Sequence, residues 1–451
     1  MLTLGHWLGL AAAIALVFGA LGSALRNRSS VDGFSVGGRS ASPLLVAGAL
    51  VGTMLGGSAT VGTAQAAVGI GFSAWWFTCG ATLGFIVLAW CYAVPLRRSG
   101  LRTVAEYMTR YYGRAAGIAT SAVSVLGIFF SLVASGLAGI HFMQFVLPVS
   151  RPVATLLLLA TVVLYVLAGG IKGTAVSGLV KTALLYVTLT WAGCIAYPMI
   201  AGPVFTQALT AATPADAQHF AGCALSVIIG TVVTQSYAQA VYSARDTRTS
   251  VRGTLIAAAL CAPLGLPLIT VGMATGLVAP TLAPVQALPY FLLTYLPPLI
   301  GGLGLGALLL AIIGSIAGLS LGAATSIAVD IAYGGCGLRN DRSVLRVLRL
   351  SLVAVTGAAF ALSLYHYHSQ LLYWNFLSFS LRGAGVFFPF LAAILCTDRY
   401  AHTHITANIT VSTLLAVLAA LTNYAPLNPL YLGMGISLLW LAAESVLIRS
   451  S

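Results

Sequence analysis

Charge is what this sequence has least of. Only 6% of its 451 residues are charged, against about a quarter in an ordinary soluble domain. That is too little polar surface to face water, which excludes a soluble enzyme or a soluble binding module. The seven cysteines are scattered, mostly inside apolar runs, and none forms a CxxC pair. A metal or disulfide framework is therefore unsupported, and small packing residues are what remain. Polar connections are short as well, so no soluble catalytic domain is attached. Acid is scarcer than base, with 8 acidic residues against 21 basic ones.

What the sequence does have is apolar length. Hydrophobic residues make up 59% of it, and runs of 18 or more recur from end to end, each able to cross about 30 Å of hydrocarbon as a helix. The fold class is an all-α polytopic membrane protein, residues 1–451 forming one transmembrane domain whose partner is the lipid bilayer. The formal charge of +13 would suggest nucleic acid in a soluble chain. Here basic residues collecting on the cytoplasmic side explain it, and no nucleic-acid partner is expected.

The apolar runs predict thirteen helices, at about 3–25, 41–71, 73–96, 115–147, 152–168, 174–201, 219–244, 251–278, 300–332, 345–365, 370–395, 403–421 and 427–447. Arg26 and Arg28 follow the first run instead of preceding it, so it reads as a retained helix with its N-terminus outside, not a signal peptide. Alternation then places Arg26, Arg28, Arg39, Arg97, Arg98, Arg102, Arg110, Arg114, Lys172, Arg245, Arg248, Arg252, Arg339, Arg342, Arg346, Arg349, Arg399 and Arg449 inside. Only Arg151 falls outside, and Lys181 and Arg382 lie within helices. Such a distribution fits an inner (plasma) membrane with the C-terminus cytoplasmic.

Two helices are anomalous. The second is unusually long and rich in glycine, with Gly56-Gly57 a candidate break. The seventh is interrupted near Gly230-Thr231, ahead of Thr234, Gln235, Ser236 and Gln239. Glycine weakens a helix interior by about 1 kcal/mol against alanine, and irregular backbone survives at membrane depth only when buried or lining a wet cavity. Close helix packing is the other reading of such glycines. The anomalies stand five helices apart, as they would if each opened one half of a five-plus-five inverted repeat. That gives a core at 41–396, with halves 41–201 and 219–396, and peripheral segments at 1–30 and 403–451. No Asp or Glu lies in the middle of the ten core helices, since Asp330 caps one end and Glu444 is peripheral. A carboxylate proton relay is thereby excluded.

The residues of this core resemble a known family. "VGGRSASPLLVAGALVGTMLGGSATVGTAQAAVGIGFSAWWF" (36–77) is similar to the first broken helix of sodium:solute symporters. "SGLRTVAEYMTRYYG" (99–113), "GGIKGTAVSGLVK" (169–181), "QSYAQAVYSARDTRTSVRG" (235–253) and "ALPYFLLTYLPPLIGGLGLGALLLAIIGSIAGLSLGAATSIAVDIAY" (287–333) continue the likeness in order. The resemblance implies a LeuT-like fold and uptake of a small solute driven by sodium, with no other cofactor. It also implies a sodium site made by the carbonyls of Gly52, Leu55 and Ala311 and the hydroxyl of Ser315, oxygen ligands being what a hard cation requires. The family usually has two adjacent hydroxyls there, and Gly314 stands in place of one.

A second departure concerns the fifth core helix. An acidic residue followed three positions later by glutamine is usual in the family; here the pair is Gly178 and Lys181. An ammonium at membrane depth is a functional candidate. If it points at the helix break, protonation of Lys181 replaces sodium binding; if it points along the helix, it snorkels to the inner surface.

Candidate substrate contacts are Ser58, Ala59 and Thr60 after the first break, Phe77 and Thr78 on the third helix, His141 on the fourth, and Thr234 and Gln235 on the seventh. Ala59 and Thr78 stand where sugar carriers of the family present amides and acids, which argues against a sugar. Arg382, without an acid in reach by sequence, either balances an anionic solute or braces carbonyls. Three readings stay open: a sodium symporter for a small polar or organic-anion solute, a proton-coupled or sodium-independent carrier using Lys181, and an intramembrane redox enzyme or sensor. Flux into liposomes separates them. Oligomeric state is left open.

Overall fold

The computed structural model describes residues 2–22, 31–201, 214–338, 340–395, 404–422 and 429–450. Arg26, Arg28, Arg339 and Arg399, four of the arginines assigned to the inner side, lie outside these. The described chain is helical, and its one β-type contact is the bridge between Ala41 and Ala244.

The helices are α1 (Leu4–Gly22), α2 (Pro43–Met54), α3 (58–70), α4 (76–99), α5 (Val104–Tyr112), α6 (Arg114–Val146), α7 (Arg151–Leu167) and α8 (Gly170–Ile200). Then follow α9 (Pro214–Val233), α10 (Gln235–Ser243), α11 (Thr247–Val278), α12 (Ala287–Tyr295) and α13 (Pro298–Gly335). The last four are α14 (Asp341–Tyr365), α15 (Leu371–Leu395), α16 (Ile405–Thr422) and α17 (Pro429–Ser450). Each segment expected from the apolar runs is occupied by helix. Among the described residues, eight helices are long and apolar enough to cross a bilayer, or nine with α9 and α10 taken as one bent span.

Three helices were not among the expected thirteen, a short one at Val31–Ser35 and two of nine residues each. α5 is amphipathic and begins at a full capping box, with Thr103 Oγ1 accepting from Glu106 N and Glu106 accepting from the Thr103 amide. α12 is nine residues, too short to span a membrane and hidden within a continuous apolar stretch. α7 and α8 are divided at Gly170, whose φ of +53° is a left-handed value that glycine adopts without penalty.

Most of α13 is buried, and so are α2 and the central stretch of α6. Small residues let the helices approach closely, as is usual where lipid supplies no hydrophobic drive between them. A Cβ on Gly178 would lie 2.1 Å from the Gly48 carbonyl oxygen, and one on Gly52 would lie 2.9 Å from Gly178 Cα. α2 and α8 therefore meet backbone to backbone. The acid that the family carries at the position of Gly178 has no room here.

The loops assigned to one side by their arginines do meet at one end of the bundle. Arg97 donates to the carbonyls of Ala244 and Arg245, Arg39 donates to that of Gly100, and Arg102 Nε lies 2.5 Å from Asp32 Oδ1. Asp246 caps α11 through Thr249 N. That bond, aided by Arg245, holds its carboxyl below the usual range.

The close packing makes a paired prediction. Gly178→Ala overpacks α2 against α8, at about 1–3 kcal/mol, whereas a Cβ on Gly69 meets nothing within 4 Å. The thermal unfolding midpoint in detergent is expected to fall for Gly178→Ala and to hold or rise for Gly69→Ala. The reverse order would contradict this packing.

Candidate functional site

The break after α2 falls at Leu55-Gly56, within one residue of the expected glycine pair. Leu55 takes φ −83° and ψ 69°, and the amide of Gly56 turns to the Met54 carbonyl instead of that of Gly52. Buried carbonyls that lose their helical partner require another. Lys181 Nζ donates to Gly52 O at 2.5 Å, and Ser315 Oγ donates to Thr53 O at 2.6 Å.

Lys181 also donates to Ala311 O on α13, at 3.1 Å, and its side chain is 1% exposed. A backbone carbonyl has two lone pairs, so Ala311 can serve its own helix and the ammonium together. Gly314 makes this possible: a Cβ there would lie 2.7 Å from Lys181 Nζ. The side chain thus points to the break and not along α8 to the surface. Of the residues assigned to a sodium site, Gly52 and Ala311 are the carbonyls that hold the ammonium. Ser315 lies against Gly56, where an added Cβ would come 2.1 Å from Ser315 Cβ, and Leu55 is buried at the bend.

The second break falls at Thr234, between α9 and α10, which are bent by 48°. That is three to four residues beyond the Gly230-Thr231 site expected from sequence. Gly230 stays helical because its missing Cβ admits Phe379, whose Cδ1 lies 2.4 Å from the ideal Cβ position. The freed Gly230 carbonyl accepts from Thr234 Oγ1 at 2.5 Å, and the same hydroxyl accepts from Arg382 Nη1 at 2.8 Å. Arg382 is fully buried. It also donates from Nε to Ser378 O (3.1 Å) and from Nη2 to Ser378 Oγ (2.7 Å) and Ser131 Oγ (3.3 Å).

The two breaks are joined at Tyr237 on α10, which donates to Met54 Sδ across 2.9 Å. Between them lies a small cavity of about 10 Å³, the space of about one water. Its wall includes Thr53, Ser58, Phe77, Ser131, Ser135, Tyr237, Ser315, Asn375 and Phe379. A second small cavity, which shares Thr53, lies between α2, α8, α10 and α13. It shares Ile171 with a pocket of about 180 Å³ beside Gly37 and Lys172.

Of the candidate substrate contacts, the structure brings Ser58 and Phe77 to the central cavity and puts Thr234 beside it, holding Arg382. The others sit elsewhere. Thr60 bonds back to the Gly56 carbonyl, buried Ala59 is not part of the cavity wall, and Thr78 faces α11 at Gly265. His141 donates from Nε2 to the Tyr367 carbonyl and packs at a tilt against that ring, beside Arg151. Gln235 ties α5 to the second break, accepting from Val104 N at 2.9 Å and donating to Arg102 O at 3.2 Å.

Ser131, Ser135, Asn375 and Phe379 were not singled out from sequence. Their signal was spacing: 375, 379 and 382 share one helix face with the intramembrane arginine, as do 131 and 135 on α6. Buried Asp330 is held by α5, its Oδ1 accepting from Thr103 Oγ1 at 2.6 Å.

Comparison with known proteins agrees with this geometry. The profile of the Sodium:solute symporter family matches residues 34–403. The sodium/glucose cotransporter 1 of Oryctolagus cuniculus is 26% identical over 196 residues, which are 43% of this chain and 30% of that protein. The chain thus aligns with less than a third of that relative's length. A solved Na+-coupled sialic acid symporter in a substrate-bound outward-open state superposes with a TM-score of 0.83 at 14% identity, covering 100% of this chain and 98% of the other. A nucleobase-cation-symport-1 family transporter in a closed conformation gives 0.63 at 12% identity, over 94% and 96%. The fold is the LeuT-like one.

The contact between α5 and Asp330 is testable. Thr103→Ala removes a helix cap and a buried carboxylate's partner together, at about 1–3 kcal/mol. Thr410→Ala, on an exposed face, is expected to stay within about 0.5 kcal/mol. Thermal unfolding in detergent that ranks the two equally would refute the contact.

Proposed function

The chain belongs to the sodium:solute symporter family, and we propose that it works as a secondary active transporter, importing a small polar or organic-anion solute by alternating access. The observation that carries this reading is the meeting of two broken helices around one small, hydroxyl-lined cavity. Discontinuous helices serve transporters because their freed backbone groups hold solutes and ions at membrane depth. In this proposal residues 41–201 and 219–396 are the two inverted halves. The arginine-rich end is cytoplasmic, the N-terminus is outside, and the membrane is the inner one. The line of cavities from Thr53 past Ile171 to Lys172 marks the inward exit.

Family membership implies sodium as the coupling ion. A specific observation favours the second reading for this chain: Lys181 Nζ already holds the carbonyls of Gly52 and Ala311, two of the oxygens assigned to sodium. A sodium ion and an ammonium at the same two oxygens would repel at contact distance in a low dielectric. The ammonium thus acts as a tethered cation that sodium cannot join. No carboxylate among the described residues is paired with it. Losing its proton would release α2 from α8 and α13, as sodium departure would in a sodium-coupled relative.

Purified protein in liposomes, given labelled small carboxylates and amino acids under imposed gradients, tests both parts. Uptake of at least one solute is expected, driven by an inward proton gradient, unchanged when potassium replaces sodium, and lost in Lys181→Ala. Flux that follows the sodium gradient and disappears in Ser315→Ala would overturn the tethered-cation reading. Absence of flux for every solute would overturn the carrier reading.

A further inference from the structure

The central cavity has an electrostatic character that transport alone does not require. Arg382 lies behind its wall, Lys181 is held nearby at Gly52 and Ala311, and neither has an acid partner among the described residues. The ion pairs among the described residues, Arg102–Asp32 and Arg245–Asp246, lie at the arginine-rich end. Asp330, held by Thr103 of α5, lies at that end too.

The shell around Arg382 solvates its charge without neutralising it. Thr234 Oγ1 commits its proton to Gly230 O, Ser378 Oγ to Gly127 O, and Ser131 shares a 2.6 Å bond with Ser378. Their lone pairs face the guanidinium, which leaves a full positive charge one hydroxyl behind the cavity wall. Ser131 and Phe379 belong to that wall; the first accepts from the guanidinium, and the ring of the second lies 4.9 Å from it. A fixed charge in a dry interior acts over such distances with little screening.

The wall also holds two polar groups without partners. Ser58 Oγ and Asn375 Nδ2 make no hydrogen bond among the described residues, although each residue is only 5% exposed. Unmade bonds at buried groups cost about 1–3 kcal/mol each, and both groups can donate. The remaining wall at Phe77, Phe379, Met54 and Leu319 is apolar.

We propose that this cavity takes a small carboxylate, held by hydrogen bonds from Ser58 and Asn375 with Arg382 supplying the countercharge and the aromatic wall accepting a short apolar tail. A cationic solute would meet two fixed cations and no acid. A hexose would need many more free donors and acceptors than the two unpartnered groups of this wall offer. The inference rests on the carrier reading for the cavity's purpose, and not on which ion drives the carrier.

Propionate, pyruvate and lactate, compared with propionamide and lactamide, provide the test on purified full-length protein. Binding is read from the thermal unfolding midpoint and from equilibrium dialysis, and flux is read separately in liposomes. The carboxylates are expected to raise the midpoint and the amides are not. Affinity is expected to fall about tenfold or more in Arg382→Gln, as losing a charge-assisted contact does. Because Arg382 also braces α6 and α10, Ser58→Ala and Asn375→Leu carry the same test without touching that brace, each expected to weaken binding about fivefold or more. Equal binding of amides and carboxylates would overturn the inference, as would unchanged affinity in both wall variants. Flux of amides without any carboxylate binding would overturn it and leave the carrier reading intact. Carboxylate binding without flux would do the opposite.

Discussion

A main-chain carbonyl that loses its helical partner inside a membrane must find another donor, and this chain meets that demand with fixed cations. At Leu55-Gly56 the helix comes undone and frees the carbonyls of Gly52 and Thr53; Lys181 takes the first and Ser315 the second. At Thr234 the helix comes undone again, and the hydroxyl that repairs the gap is held by Arg382. Elsewhere the helices follow from apolar length alone. These two points require specific residues on neighbouring helices, and the packing of α2, α8 and α13 is arranged around them.

The glycines then become intelligible as clearances. Gly48, Gly52 and Gly178 bring α8 against α2, so that a lysine stem starting at residue 181 ends at the break. Gly314 vacates the volume that its Nζ fills. A side chain at residue 178 would drive α8 off the α2 backbone, and one at residue 314 would occupy the space of the ammonium. In the proposed reading, Lys181 supplies the cation position with a tethered charge, so that the site would empty by losing a proton instead of an ion.

Much of this was legible in the sequence. Helix positions followed from apolar runs, because lipid imposes a length that few other constraints match. The first break was legible from Gly56-Gly57, and Lys181 stood out because an ammonium is rare at membrane depth. The second break was displaced because Gly230 serves close packing against Phe379 and not flexibility. α12 escaped notice because nine residues within a continuous apolar stretch carry little periodic signal, and α5 because apolar runs mark spanning helices and not a short amphipathic one. Gln235 and His141 were read as solute contacts from polarity alone, yet polarity does not say which way a side chain turns: one ties α5 to the second break, and the other docks on Tyr367. Asn375 was overlooked for the opposite reason. Its neighbours on α15 are apolar, and only its register with Arg382 marks it.

The central claim is that Lys181 fills the cation position, and sodium binding tests it most directly. A mobile ion that binds only the folded state stabilises it by about 2.7 kcal/mol at a hundred times its Kd. Thermal unfolding of the purified protein should be measured through a titration with sodium chloride, matched against potassium chloride. The account predicts the same midpoint in both salts for the wild-type chain, at every concentration. A saturable, sodium-specific rise in the midpoint, removed by Ser315→Ala, would contradict it.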